Sequence, residues 1–233
     1  MSQYTQNYPS IPVADLGVEQ RSTFIVRTYA HLAGAIALFT AIEVFIFTQG
    51  YDVPIAKALT SVSWLLVLGG FMVVSWLASR VAASAQSKPA QYGALFGYVL
   101  AQAILFVPLL YVANRMVGGG VISSAAGVTL AGFGLLTGIV FVTRKDFSFL
   151  RIFLVWTAIL ALVAIAAAAI FGLKLGFWFS VGMVLFAGAA ILHDTSNVLR
   201  YYPQDRYVSA ALQLFASVAL LFWYVLSIFI SRR

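Results

Sequence analysis

Apolar positions along the chain gather into seven long runs separated by short polar breaks. The runs cover about 28–48, 58–79, 91–113, 121–143, 152–172, 175–193 and 207–230. The breaks are Gln49-Gly50, Arg80 followed by Ser84 to Pro89, and Asn114-Arg115 with Gly118-Gly119-Gly120. Arg144-Lys145-Asp146, Lys174 and a connector holding Pro203 and Asp205 complete them. Each run is close to the ~20 apolar residues that a helix needs to cross a bilayer. The two-residue alternation of barrel strands is absent, and a lipid-exposed strand outside a closed barrel leaves its backbone unpaired. The pattern therefore predicts an all-α integral membrane protein of seven transmembrane helices. Gly93/Gly97 and Gly134/Gly138 have the small-xxx-small spacing that lets membrane helices approach closely.

Residues 1–23 precede the first run. They are largely polar, include Pro9 and Pro12, and hold no apolar core, so they do not form a signal peptide. They read as a disordered cytoplasmic tail ahead of one seven-helix domain, 24–233. With seven spans, the tail shares a side with Arg21, Arg27, Arg80, Lys88, Arg144, Lys145, Arg151, Arg200 and Arg206. The other side has only Lys57, Arg115, Lys174, Arg232 and Arg233. This excess places the N-terminus in the cytoplasm, although the closing Arg pair pulls against an outside C-terminus.

Composition then fixes the solvent. Apolar residues make up 62% and charged residues 9% of the 233 positions, with mean hydropathy +0.97. Soluble domains carry roughly a quarter charged residues, so the bilayer is the expected partner. The chain has no cysteine, which excludes disulfides, thiolate metal sites and cysteine nucleophiles. The net charge of +7 is dispersed over segment ends, a topology signal and not a nucleic-acid surface. Short loops and the lack of cysteine fit a bacterial inner (plasma) membrane.

Few ionisable groups lie in or beside the apolar runs, and each is a candidate site. Glu43 sits in the outer half of the first run, as a proton or cation ligand or as a neutral acid hydrogen-bonded to a neighbouring helix. Asp194 follows the sixth run, with His193 before it and Asn197 one turn on. The bland reading of Asp194 is an interfacial, solvated carboxylate, and His193 is pH-sensitive in principle. Arg80 closes the second run on the same side as Asp194, either pairing with it across the bundle or snorkelling as an anchor. His31 and Gln102 read as hydrogen-bond partners of neighbouring helices. No phosphate loop, zinc-helix, serine-elbow or dinucleotide motif occurs, so an enzyme is not expected, nor a resident cofactor.

Several stretches together resemble the transmembrane Bax inhibitor motif family. They are Phe24-Ile25-Val26-Arg27-Thr28-Tyr29, the loop Thr143-Arg144-Lys145-Asp146-Phe147-Ser148-Phe149-Leu150, His193-Asp194-Thr195, and Ala211-Leu212-Gln213-Leu214-Phe215. Their order and spacing match over about 24–230. The resemblance implies six helices wrapped around a central C-terminal helix and a pH-dependent calcium leak. It also implies a proton shared between an Asp ending helix six and another in helix seven, with an Arg at the end of helix two switching the pore. By position these are Asp194 and Arg80. Ser217 stands where the family has its second aspartate. Two close carboxylates share a proton near neutral pH, whereas Asp194 beside Arg80 would stay ionised, with Ser217 as a hydrogen-bond partner. Asp194 is the candidate calcium ligand, for transient binding only.

Two functions follow as expectations. One is a channel or leak for cations, gated by Asp194 with Arg80 and with Glu43 as a second polar station. The other is a non-conducting modulator of a membrane protease or stress response, since some bacterial members with a similar loss are associated with that role. A proton-coupled transporter using Glu43 is a third reading.

Overall fold

The computed structural model describes residues 11–118 and 120–232. It contains eight α-helices: α1 (Val18–Thr48), α2 (Asp52–Ser61), α3 (Trp64–Ser84), α4 (Lys88–Val112), α5 (Val121–Thr143), α6 (Leu150–Phe171), α7 (Phe177–Arg200) and α8 (Tyr207–Ser231). All but α2 are long and apolar enough to cross a membrane, and the described residues form no strand. The protein is a seven-span, all-α membrane bundle.

The apolar runs located the spans but not their ends. The second run begins inside α2, a ten-residue helix that the run blurs into α3. The chain breaks at Val62, whose backbone is extended. Ala56 packs α2 under α4 beside Ile46 and Val107. α4 carries Pro108 internally and runs on into a π-helical turn, Ala113–Val117. Proline removes one backbone donor and crowds the preceding turn, and π turns absorb such local misfits. α6 ends on Gly172, whose φ of +66° suits a residue without a Cβ.

The expected tail also ends earlier than residue 23. Residues 1–10 lie outside the described residues, but Val13 is fully buried and its N–H donates to the Tyr202 carbonyl at 2.9 Å. α1 starts at Val18. Residues 11–23 belong to the fold because Val13 and Phe24 join the core cluster at this end.

α8 is the most buried span. It packs on α1, α3, α4, α5 and α7, and fourteen of its residues are buried. α6 makes its extended contacts with α7 and α3 instead, and only Ala168 of it is buried. Its Ile152, Trp156, Leu160 and Val163 are exposed, as lipid-facing side chains are. The two glycine pairs do not mediate close approach: a Cβ added at Gly93, Gly97, Gly134 or Gly138 would meet nothing within 4 Å. Contact is tighter at Gly188, where a Cβ would lie 3.4 Å from Leu136.

Candidate functional site

The functional candidates sort into two places on α8. The first is at the end of the bundle that holds the basic loops. α7 continues to Arg200, so Asp194 lies more than a turn inside its helix and is only 4% exposed. It is not the solvated interfacial acid that its position in the sequence suggests. Ser217 of α8 donates its hydroxyl to Asp194 Oδ2 at 2.5 Å, and Gln213 Nε2, one turn earlier on α8, approaches the same oxygen at 3.5 Å. His193 Nδ1 lies 3.2 Å from Asp194 Oδ1, and Asn197 Nδ2 lies 3.2 Å from that same ring nitrogen. Protonated, Nδ1 donates to the Asp194 carboxylate; bare, it accepts from the Asn197 amide N–H; it cannot do both. Donation to the carboxylate is the stronger choice, because a charged acceptor strengthens the bond.

This carboxylate is therefore held by two helices. α7 supplies His193 and α8 supplies Ser217 and Gln213, so the group ties together the two spans with the most extensive contact in the bundle. Its surroundings extend to the α7–α8 connector. Tyr202 has its phenol pushed well above the ordinary range, first by burial and then by the negative charge of Asp194.

Arg80 is not part of this site. It forms no ion pair with Asp194; its guanidinium lies 5.3 Å from the Trp76 ring centroid, on its own helix, and it is exposed. α3 runs on to Ser84, so Arg80 sits a turn inside the helix as a cation resting on an aromatic face.

The loop carrying the Arg144 to Leu150 stretch docks beside this site. α5 ends on Arg144, which adopts a left-handed backbone with φ +50°, and the Arg144 carbonyl accepts from Arg200. The Phe147 N–H donates to Ser196 Oγ at 3.0 Å. Asp146 accepts from the Ser148 N–H at 2.9 Å and from the Tyr201 hydroxyl at 2.5 Å. The Tyr201 hydroxyl first, and the Ser148 N–H second, hold the Asp146 carboxyl below its usual range. Two motifs some fifty residues apart in the chain thus form one contact, with Asp194 two residues from its Ser196 anchor.

The second place lies toward the other end, where Glu43 of α1 is 7% exposed and neither carboxylate oxygen has a hydrogen-bond partner. The expected bond to a neighbouring helix is not formed. Glu43 lines a cleft of about 400 Å³ between α1 and α5, floored by Phe215, Ala219 and Phe222 of α8. α1 and α5 meet nearer the basic end, where the Tyr29 ring lies 5.8 Å from Phe141. No hydrogen bond or ion pair connects Glu43 to Asp194. Gln102 is also buried with its carbonyl oxygen unpartnered, whereas His31 does bond a neighbour, Tyr92 Oη at 2.9 Å.

Sequence reasoning missed a third buried carboxylate. Asp52, at the start of α2, is fully buried, and Arg115 Nη2 reaches its Oδ2 at 3.4 Å. In the sequence it reads as an ordinary loop acid, because nothing marks α2 as a separate helix. Among the described residues no group of three or more His, Asp or Glu side chains is arranged to hold a metal.

A family model described as "Inhibitor of apoptosis-promoting Bax1" matches residues 21–233. A Pseudomonas aeruginosa protein described as uncharacterized is 37% identical over 115 residues, 48% of this chain and 50% of the relative. Uncharacterized proteins of Neisseria meningitidis serogroups A and B are each 30% identical over 139 residues, 59% of this chain and 61% of the relative. The chain thus spans about half the length of the first relative and under two thirds of the others. No solved structure matches it.

Proposed function

The chain belongs to the family of inhibitors of apoptosis-promoting Bax1, and from that premise we propose that it is a pH-sensitive cation (calcium) leak whose gate is the Asp194–Ser217 contact. The observation that carries this reading is a carboxylate buried between α7 and α8 and held across them by a hydroxyl. In that arrangement the helices are closed on each other, and conduction requires them to part. Asp194, Ser217 Oγ and the amide oxygens of Gln213 and Asn197 would then face a passing ion. One carboxylate among neutral oxygens binds a hard cation weakly, which suits a site that an ion must leave as well as enter. A protonated His193 would place a cation 3.2 Å from Asp194 Oδ1, and histidine is the side chain suited to such a switch. The protein would sit in a bacterial inner membrane with its basic loops in the cytoplasm.

Purified protein in liposomes should pass Ca²⁺, and Asp194→Asn should change the flux. Ser217→Asp, which restores the second carboxylate, should make the flux steeper in pH. Flux no higher than in empty liposomes, at both acidic and neutral pH, would overturn the proposal. The alternative, a non-conducting modulator of a membrane protease, is favoured by the same bond read as a permanent pin between α7 and α8. Under that reading all three proteins are silent in liposomes, and crosslinking in native membranes recovers a protease.

A further inference from the structure

The Glu43 cleft holds two orphaned polar groups on opposite walls. On α1, both carboxylate oxygens of Glu43 are buried without a partner; on α5, the hydroxyl of Thr129 is in the same condition, the residue being 2% exposed. Both residues line the same cavity of about 400 Å³. Buried polar groups are nearly always hydrogen-bonded, and each exception asks for an explanation. A buried carboxylate without counter-charge is the costliest kind of exception.

The rest of the cleft describes what would satisfy them. Phe39, Phe47, Phe215 and Phe222 contribute aromatic surface, and Leu110 and Ile122 add aliphatic surface. Val44 and Leu130, which also line it, are 55% and 50% exposed, so the cleft opens sideways, where lipid would lie. Its volume is within the range of small-molecule sites, which are mostly apolar with a few convergent polar groups. The missing partner must donate hydrogen bonds to a carboxylate and a hydroxyl, carry positive charge, and bring an apolar body that packs on phenyl rings. A hydrated metal ion meets the first two demands and fails the third. The Arg and Lys side chains of the protein do not meet them either, since no ion pair to Glu43 forms among the described residues.

We infer that the cleft between α1 and α5 is a binding site for a lipophilic amine, with the ammonium group between Glu43 and Thr129 and the apolar body on the phenylalanines. The ammonium N–H groups donate to the Glu43 carboxylate and to Thr129 Oγ1. The ring faces attract the same cation. The ligand reaches the site from the lipid and not from water. The site lies apart from Asp194 and does not depend on the proposed leak.

The test uses the full chain in nanodiscs, titrated calorimetrically with 4-phenylbutylammonium and with 4-phenylbutanol, which has the same apolar body without the charge. The wild type should bind the ammonium at least ~10-fold more tightly than the alcohol, a difference of about 1.4 kcal/mol. Glu43→Gln should remove that preference while leaving the alcohol's binding unchanged. Thr129→Val should weaken ammonium binding several-fold. Ala126→Phe, which fills the cleft, should abolish binding of both compounds, and it keeps the test decisive if Glu43→Gln does not fold. Equal affinity of the wild type for the two compounds, no binding of either, or an undiminished preference in Glu43→Gln would each overturn the assignment. So would ammonium binding that survives Ala126→Phe.

Discussion

Asp194 and Glu43 are both carboxylates buried in spanning helices, 4% and 7% exposed, and the protein treats them in opposite ways. Asp194 is met by Ser217, His193 and Gln213 from two helices. Glu43 is met by none. The difference follows from helix packing. α7 and α8 lie in close contact along their lengths, whereas α1 and α5 leave a cleft around Glu43. A buried charge that is fully partnered is part of the architecture, and removing it exposes the cost of its orphaned partners. A buried carboxylate without partners adds no bond to the architecture, carries the cost of its burial, and stands ready for a ligand.

That contrast can be broken most directly at Asp194. Asp194→Ala should lower unfolding stability by about 2–3 kcal/mol, because hydrogen bonds to a charged acceptor are the strong ones; thermal unfolding in nanodiscs measures it. A loss under half that size would mean that the partners find other acceptors. Ser217→Ala deletes one of the contacts and should cost about 1 kcal/mol, near the upper part of the range for hydrogen bonds between membrane helices. Glu43→Gln should change stability by no more than about 0.5 kcal/mol, or raise it, since it replaces an unpartnered carboxyl by an isosteric amide and breaks no bond. A destabilisation comparable to that of Asp194→Ala would erase the distinction between the two carboxylates.

The smallest effect concerns Asp146, an exposed carboxylate with partners. Its folded-state value is depressed. Its contribution is therefore present above the ordinary aspartate range, about 3.9, and is lost as pH falls through the folded value. Tyr201→Phe removes the largest cause of the depression, so it should shrink the part of the acid sensitivity of melting that falls below about pH 4. Melting should therefore fall slightly at neutral pH, where that contribution is present, and the two proteins should melt alike once pH is below the folded value.

Individual residues show why the sequence was legible only in part. Asp194 follows an unbroken apolar run, so it reads as a residue at the membrane boundary. The helix continues to Arg200 with polar and apolar residues mixed, and hydropathy alone does not register that extension. Arg80 reads as the end of a helix for the same reason, and its expected pairing with Asp194 depends on that end point. Ser217 could be placed opposite Asp194 because a motif fixed the register of the last span, α8, and the 2.5 Å bond agrees. Asp52 gave no signal, because burial of a loop acid depends on a short helix folding back onto α4.

By itself, the sequence determined the bilayer as solvent, the seven spans, the asymmetry of basic loops and the family. Each of these is a local property: a span is a matter of length and composition, and a motif is a matter of adjacent residues. Only the tertiary structure decided which carboxylate has partners, that α6 packs on α7 and α3 and not extensively on α8, and that a cleft opens beside Glu43. Those outcomes depend on how each helix is rotated and how closely its neighbours approach. In a chain that is apolar on nearly every face, the hydrophobic pattern does not encode that rotation.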